Sequence, residues 1–253
     1  FTPMLVLLTK AFTFDGALSV QNFINLAGRG DRDLLNISVW QATLNTLRNV
    51  AISASLAVGI GSLVSYLLSR THRTRRAKFT NRTLDLLFLI PVGISSVVLG
   101  FGYLITFGGG PLPLRASWLV VPIVQALMAL PLVIRLIYPA LISIGAEHRE
   151  AASLAGANSR QTWWHIESGI IRNVILTAIG FALIAGIGEF GAASLLAFGD
   201  QATLPTVLFA LISRPGALNY GMAMAVCAIL IMLTFVLVFS VSAQRPRRRR
   251  LGA

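Results

Sequence analysis

The chain has 253 residues, 55% of them apolar and only 12% charged, with a mean hydropathy of +0.76. A soluble domain carries about a quarter of charged residues, so this composition excludes one and predicts an integral membrane protein. The balance of 21 Lys and Arg against 9 Asp and Glu gives +12, a surplus that would suit nucleic acid or an anionic membrane surface until its position along the chain is read.

The opening FTPMLVLL begins at Phe1 rather than Met and is too short to cross a bilayer, which takes about 20 apolar residues. It reads as the end of a truncated helix that starts upstream. Residues 1–45 then comprise this helix end and an external connection. The connection is polar and mixed, with turn signals at Asp15-Gly16 and Gly28-Arg29-Gly30 and a short amphipathic piece. Residues 46–243 form the transmembrane core, with five segments apolar and long enough to span at 46–69, 84–106, 118–140, 174–198 and 220–243. The expected fold class is all-α, a polytopic membrane helix bundle of five full spans plus the truncated one. Cys227 lies inside the last span, leaving neither a disulfide framework nor a Cys-based metal site. Residues 244–253 are a basic tail.

Charge orients the bundle. Placing 70–83, 141–173 and 244–253 on one side collects fourteen basic residues, whereas the opposite side holds five: Lys10, Arg29, Arg32, Arg115 and Arg214. The richer side is cytoplasmic by the positive-inside rule. The surplus of +12 is thereby topology, and the RPRRRR run is a stop-transfer tail with no nucleic-acid role.

Several chemistries fail on their residues. His72, His148 and His165 do not pair at metal-ligand spacing, and no phosphate-cradling GxxxxGK[ST] loop is present, so neither a metal nor ATP is expected on this chain. Gly108-Gly109-Gly110 with Pro111 and Pro113 reads as an external turn. Prolines 91, 122, 131 and 205 interrupt or border spans, which are tolerant of kinks. Arg135 snorkels toward the cytoplasmic interface, and Asp85 suits a helix start.

Glu189, in AGIGEFGAASLLAF, is the exception. A carboxylate in an apolar span is costly and faces a bundle interior or an aqueous cavity. It is either a structural hydrogen-bonding group or a place on a permeation path. Gly186, Gly188 and Gly191 around it let a second helix, or an irregular backbone, approach. We take Glu189, Gly188 and Gly191 as pathway or gate candidates.

The cytoplasmic loop 141–173 contains EHREAASLAGANSRQTWWHIESG. Ala151 with Ala155 and Ala152 with Gly156 stand at i,i+4 and give a helix face almost without bulk, fit to pack tightly or to sit in a partner's groove. Gly156-Ala-Asn-Ser ends that helix and turns the chain. A second short helix from about Ser159 through Trp164 returns it to the membrane, with Trp163 and Trp164 at the headgroups.

These residues carry a resemblance. Glu150-Ala151-Ala152, Gly156 and Ile166 are spaced as in the EAA loop of permease subunits of type I ABC importers. Where that motif continues to a Leu-Pro pair, this chain has Ser168-Gly169. NTLRNVAIS at 45–53 resembles the start of the same family's core domain, and GEFGAASLLAFGDQATLPTVLF resembles its ferric iron, thiamine and 2-aminoethylphosphonate branch, whose permeases often fuse two six-helix halves. The resemblance implies a bacterial inner-membrane permease with no enzymatic activity and no cofactor of its own, corresponding to a C-terminal half or a truncated chain. It implies that Glu150, Ala151, Ala152, Gly156 and Ile166 couple to a separate ATPase dimer that binds the ATP. It further implies a second permease half or subunit and a substrate-binding protein as partners. Two other readings of the residues stand beside it: an ion-gradient-driven secondary transporter using Glu189, and a membrane scaffold that recruits a cytoplasmic protein through the loop.

Overall fold

The computed structural model describes residues 2–14, 16–70, 93–107, 117–144, 151–162, 164 and 168–243. In lipid a backbone group finds partners only inside its own helix, and the apolar segments fold accordingly. The helices are α1 (Thr2–Ala11), α2 (Gln21–Ile24), α3 (Val39–Arg70), α4 (Ser96–Phe107), α5 (Val120–Ser143), α6 (Ser159–Thr162), α7 (Ser168–Ile187), α8 (Gly191–Leu196), α9 (Leu204–Ile212) and α10 (Ala217–Ala243). Three of them are long and apolar enough to cross a membrane, over Val39–Ser69, Val120–Ser143 and Ala217–Ser242. Thr2–Ala11, Ser96–Thr106 and Ile171–Ile187 are shorter apolar helices.

Two expectations need correction. Helix α3 starts at Val39 rather than 46. Ser38 accepts the Gln41 N–H at 3.3 Å, an N-cap that draws the start of the helix into the polar connection. The segment 174–198 is not one helix: it stops at Ile187, runs irregularly through Gly188–Phe190 and resumes as α8. The fold is all-helical as expected, with one small hairpin in the connection where Thr13–Phe14 pairs antiparallel with Ala17–Leu18, Thr13 opposite Leu18. Of the expected second span, 84–92 lies outside the described residues, as do the triple-glycine turn and the basic tail.

Helix α5 is central, with 67% of its apolar window buried against 39% for α3 and for α10. It packs with α3 and α7 through Ala54, Ala57, Ala126, Ala129, Ala178 and Ala182, filled in by Val58, Val133 and Ile137. Small residues fit there because lipid tails supply no hydrophobic drive between helices, so dispersion at close approach has to hold them. Pro131 and Pro139 lie within α5. A second core gathers where the connection folds onto α3, α9 and α10, around Leu26, Leu35, Ile37, Leu204, Leu211 and Met222. Asn22 secures it, its Nδ2 donating to the carbonyls of Ala11 and Thr13 at 3.0 Å and of Lys10 at 3.4 Å. It thereby serves carbonyls that the end of α1 leaves without helical partners.

Candidate functional site

Two places answer to the sequence reading. The first is the polar loop between α5 and α7. Residues 151–154 form one helical turn, and it ends on Gly156 at φ +81°. The Ala157 N–H donates to the Ala152 carbonyl at 2.9 Å and the Gly156 N–H to the Ser153 carbonyl at 3.0 Å. This nested pair is a Schellman stop, and it needs a left-handed residue at Gly156. Two residues on, the Asn158 Oδ1 accepts the Gln161 N–H at 2.8 Å while the Gln161 Oε1 accepts the Asn158 N–H at 2.9 Å. That reciprocal capping box starts α6. GANSRQ therefore encodes a stop followed at once by a start, which fixes the bend between two helical turns.

The faces of the turn differ. Ala152 is buried, whereas Ala151, Ala155 and Gly156 are exposed and Leu154 is 90% exposed. Glu150 and Ile166 lie outside the described residues, as do Trp163 and the three histidines. The exit departs from a Leu-Pro pair without harm to the helix: α7 begins at Ser168, whose Oγ donates to the Trp164 carbonyl at 2.6 Å.

The second place is the break between α7 and α8. The Glu189 carboxylate accepts the Ala192 N–H at 2.8 Å on Oε1 and the Ala193 N–H at 3.3 Å on Oε2. A carboxylate at a helix start satisfies orphan donors and opposes the positive end of the dipole. The break and the charge thus explain each other. Gly191 is needed for close approach, since a Cβ there would run into Ser96 Oγ and Val97 of α4. A cleft of about 410 Å³ opens at the break, with Ser96, Gln125, Gly186, Gly188, Glu189 and Gly191 among its lining residues. From α5, Gln125 Nε2 donates to the Gly186 carbonyl at 3.4 Å. Its Oε1 is buried with no partner.

The connection beyond α8 is tied to α3. Asn45 Nδ2 donates to the carbonyls of Asp200 and Ala202 at 2.7 and 3.0 Å. The Leu204 N–H donates to Thr46 Oγ1 at 2.8 Å, and Arg48 donates to Gln201 Oε1 at 2.7 Å while its guanidinium lies 4.9 Å from the Trp118 ring centroid. NTLRN and GDQATL, far apart in sequence, are thereby two halves of one clamp.

The structure brings Glu189, Gly188 and Gly191 to one cleft and Ala151, Ala152 and Gly156 to one turn. Leu154, Gln125 and the clamping Asn45 and Thr46 escaped the sequence reading. The signal for three of them was legible, since an amide or hydroxyl in an apolar helix wants an explicit partner. For Leu154 no signal existed, because leucine is ordinary in either environment.

The family described as "Binding-protein-dependent transport system inner membrane component" matches residues 57–250. The sulfate transport system permease protein CysW of Escherichia coli K12 is 31% identical over 217 residues, covering 80% of this chain and 69% of the relative. A permease protein of Salmonella typhimurium LT2 named for 2-aminoethylphosphonate transport, PhnV, is 24% identical over 251 residues, covering 97% and 89%. The ferric transport system permease protein FbpB of Actinobacillus pleuropneumoniae is 22% identical over 224 residues, 88% of this chain but 31% of that one. The fold also resembles a crystal structure of a bacterial alginate ABC transporter in complex with alginate pentasaccharide-bound periplasmic protein. The TM-score is 0.72 at 17% identity, covering 100% of this chain and 90% of that chain.

Proposed function

This chain belongs to the inner membrane components of binding-protein-dependent transport systems, and from that premise we propose that its 151–162 loop transmits the work of a separate ATPase to a pathway opened at the α7–α8 break. It is a multi-pass inner membrane protein and a transport permease subunit, not itself an enzyme. It acts within an ATP-driven importer of small solutes, together with a binding protein, an ATPase and a permease partner. Family membership removes the gradient-driven transporter and the bare scaffold as readings.

The finer reading adds the following. Five full spans, the second comprising 84–106 and the fourth comprising α7 with α8, stand with α1 as the end of a sixth, in a type I importer permease. Ala151, Ala152 and Gly156, with Glu150 and Ile166 beside them, form a coupling helix seated in the ATPase, which holds the ATP. A second permease half or subunit completes the pathway. The cargo is a small solute of the ferric iron, thiamine or phosphonate class, to which the relative named for sulfate adds a fourth candidate.

The observation that carries the coupling role is the exposed Leu154 on a turn held in shape by its own backbone bonds. A rigid bend that presents an apolar side chain to water is built for a partner's groove. Co-purification with the cognate ATPase tests it. Leu154→Asp and Gly156→Arg should each weaken the association, the first by about tenfold if a buried leucine anchor of roughly 1.5 kcal/mol is lost. Wild-type association and uptake in both variants would sink the coupling role.

A further inference from the structure

We propose that the cleft at the α7–α8 break is a water-accessible transit site for a cationic, hydrogen-bond-donating solute group, such as an ammonium or a hydrated metal ion. It rests on the importer reading above and narrows the cargo within it.

The cleft is lined by acceptors. Glu189 contributes a carboxylate, and Gln125 contributes an Oε1 that has no partner although the residue is only 4% exposed. Such a buried acceptor calls for a donor from the cleft itself, water or solute. The end of the 20-residue α7 lies at the same cleft, with Ala185 and Gly186 among the lining residues, and the last turn of a helix carries its negative end. The N–H groups of Ala192 and Ala193 at the start of α8, which would otherwise suit an anion, face Glu189 instead. Among the described residues no Lys or Arg lines the cleft. Arg48 is engaged by Gln201 and Trp118 in the neighbouring clamp.

Negative sign and acceptor chemistry point the same way. A carboxylate plus a helix's carbonyl end is the arrangement that holds small cations where membrane helices are interrupted. A free sulfate would meet the repulsion of the Glu189 carboxylate. Thiamine, an ammonium-bearing phosphonate or a hydrated iron would each present a cationic or donating group, so the shared chemistry selects among the candidates without choosing one.

The test needs no knowledge of the cargo. In a Cys227→Ala background, Ser96→Cys places one thiol on the cleft wall. The assembled transporter, in vesicles with its ATPase and its binding protein, is then treated with the trimethylammonium-ethyl and the sulfonatoethyl methanethiosulfonates. We expect the cationic reagent to modify Cys at 96 about tenfold faster than the anionic one, relative to their rates with a free thiol, as one carboxylate at close range in partly screened surroundings would produce. Adding Glu189→Gln should collapse that preference while keeping an acceptor for the Ala192 N–H, and Glu189→Asp should restore it. Equal rates, a preference indifferent to Glu189→Gln, or a thiol unreactive to both reagents in every nucleotide state would overturn the proposal. ATP-dependent solute uptake, followed on the same vesicles without reagent, reports separately on the importer reading.

Discussion

Gly156 is the residue whose replacement separates shape from stability. At φ +81° any side chain is strained, by roughly 1–2 kcal/mol for alanine, and nothing lies within 4 Å of its missing Cβ. Gly156→Ala should therefore loosen the 151–162 turn, seen as faster amide exchange at Gly156 and Ala157, while the melting temperature of the bundle barely moves. Asn45 is the opposite case. It is nearly buried and donates to two carbonyls 155 and 157 residues away. Asn45→Ala should strip both of a partner and destabilise the purified protein by about 1–3 kcal/mol, read as a lower melting temperature in detergent. If the melting temperature were unchanged, the clamp would be ornamental. Glycine and asparagine were both visible in the sequence, but only Gly156 announced its job. A glycine followed by Ala-Asn-Ser specifies a local stop, whereas an asparagine's partners depend on which distant loop comes to rest on it.

At the scale of elements, spacing and apolar content located α5 and α10 to within a few residues and missed the ends that side chains decide. Ser38 lengthened α3 through a cap, and Glu189 divided the fourth segment by capping α8 from within the break. Hydropathy averages over such a break because both pieces are apolar. The contact between α3 and α5 also escapes a one-dimensional reading. A Cβ at Gly61 would stand 2.6 Å from Val133 Cγ1 and 3.2 Å from Val133 Cβ, and valine's branched side chain cannot swing away cheaply. Gly61→Leu should overpack this crossing and cost about 1–3 kcal/mol, measured as lost melting temperature and reduced yield of monodisperse protein. Gly59→Leu is the control on the same helix, since nothing lies within 4 Å of its missing Cβ; equal losses in both variants would mean that the crossing is not close.

For the molecule as a whole, the assignment to an ATP-driven importer predicts that vesicles containing the permease but no ATPase fail to accumulate solute even under an imposed proton or sodium gradient. Accumulation under the gradient alone would contradict it. By itself, the sequence determined the membrane setting, the polar loop with its glycine stop, and the family. Each of these follows from local quantities, namely hydropathy summed over about 20 residues, turn residues and motif spacing. Only the tertiary structure decided that NTLRN grips GDQATL, that Gln125 of α5 shares a cleft with Glu189, and that the fourth segment is two helices joined at a carboxylate. The reason is physical: lipid makes every helix satisfy its own backbone, so helices can be read one at a time. The polar side chains left over must find partners on other helices, and those partners exist only once the bundle has packed.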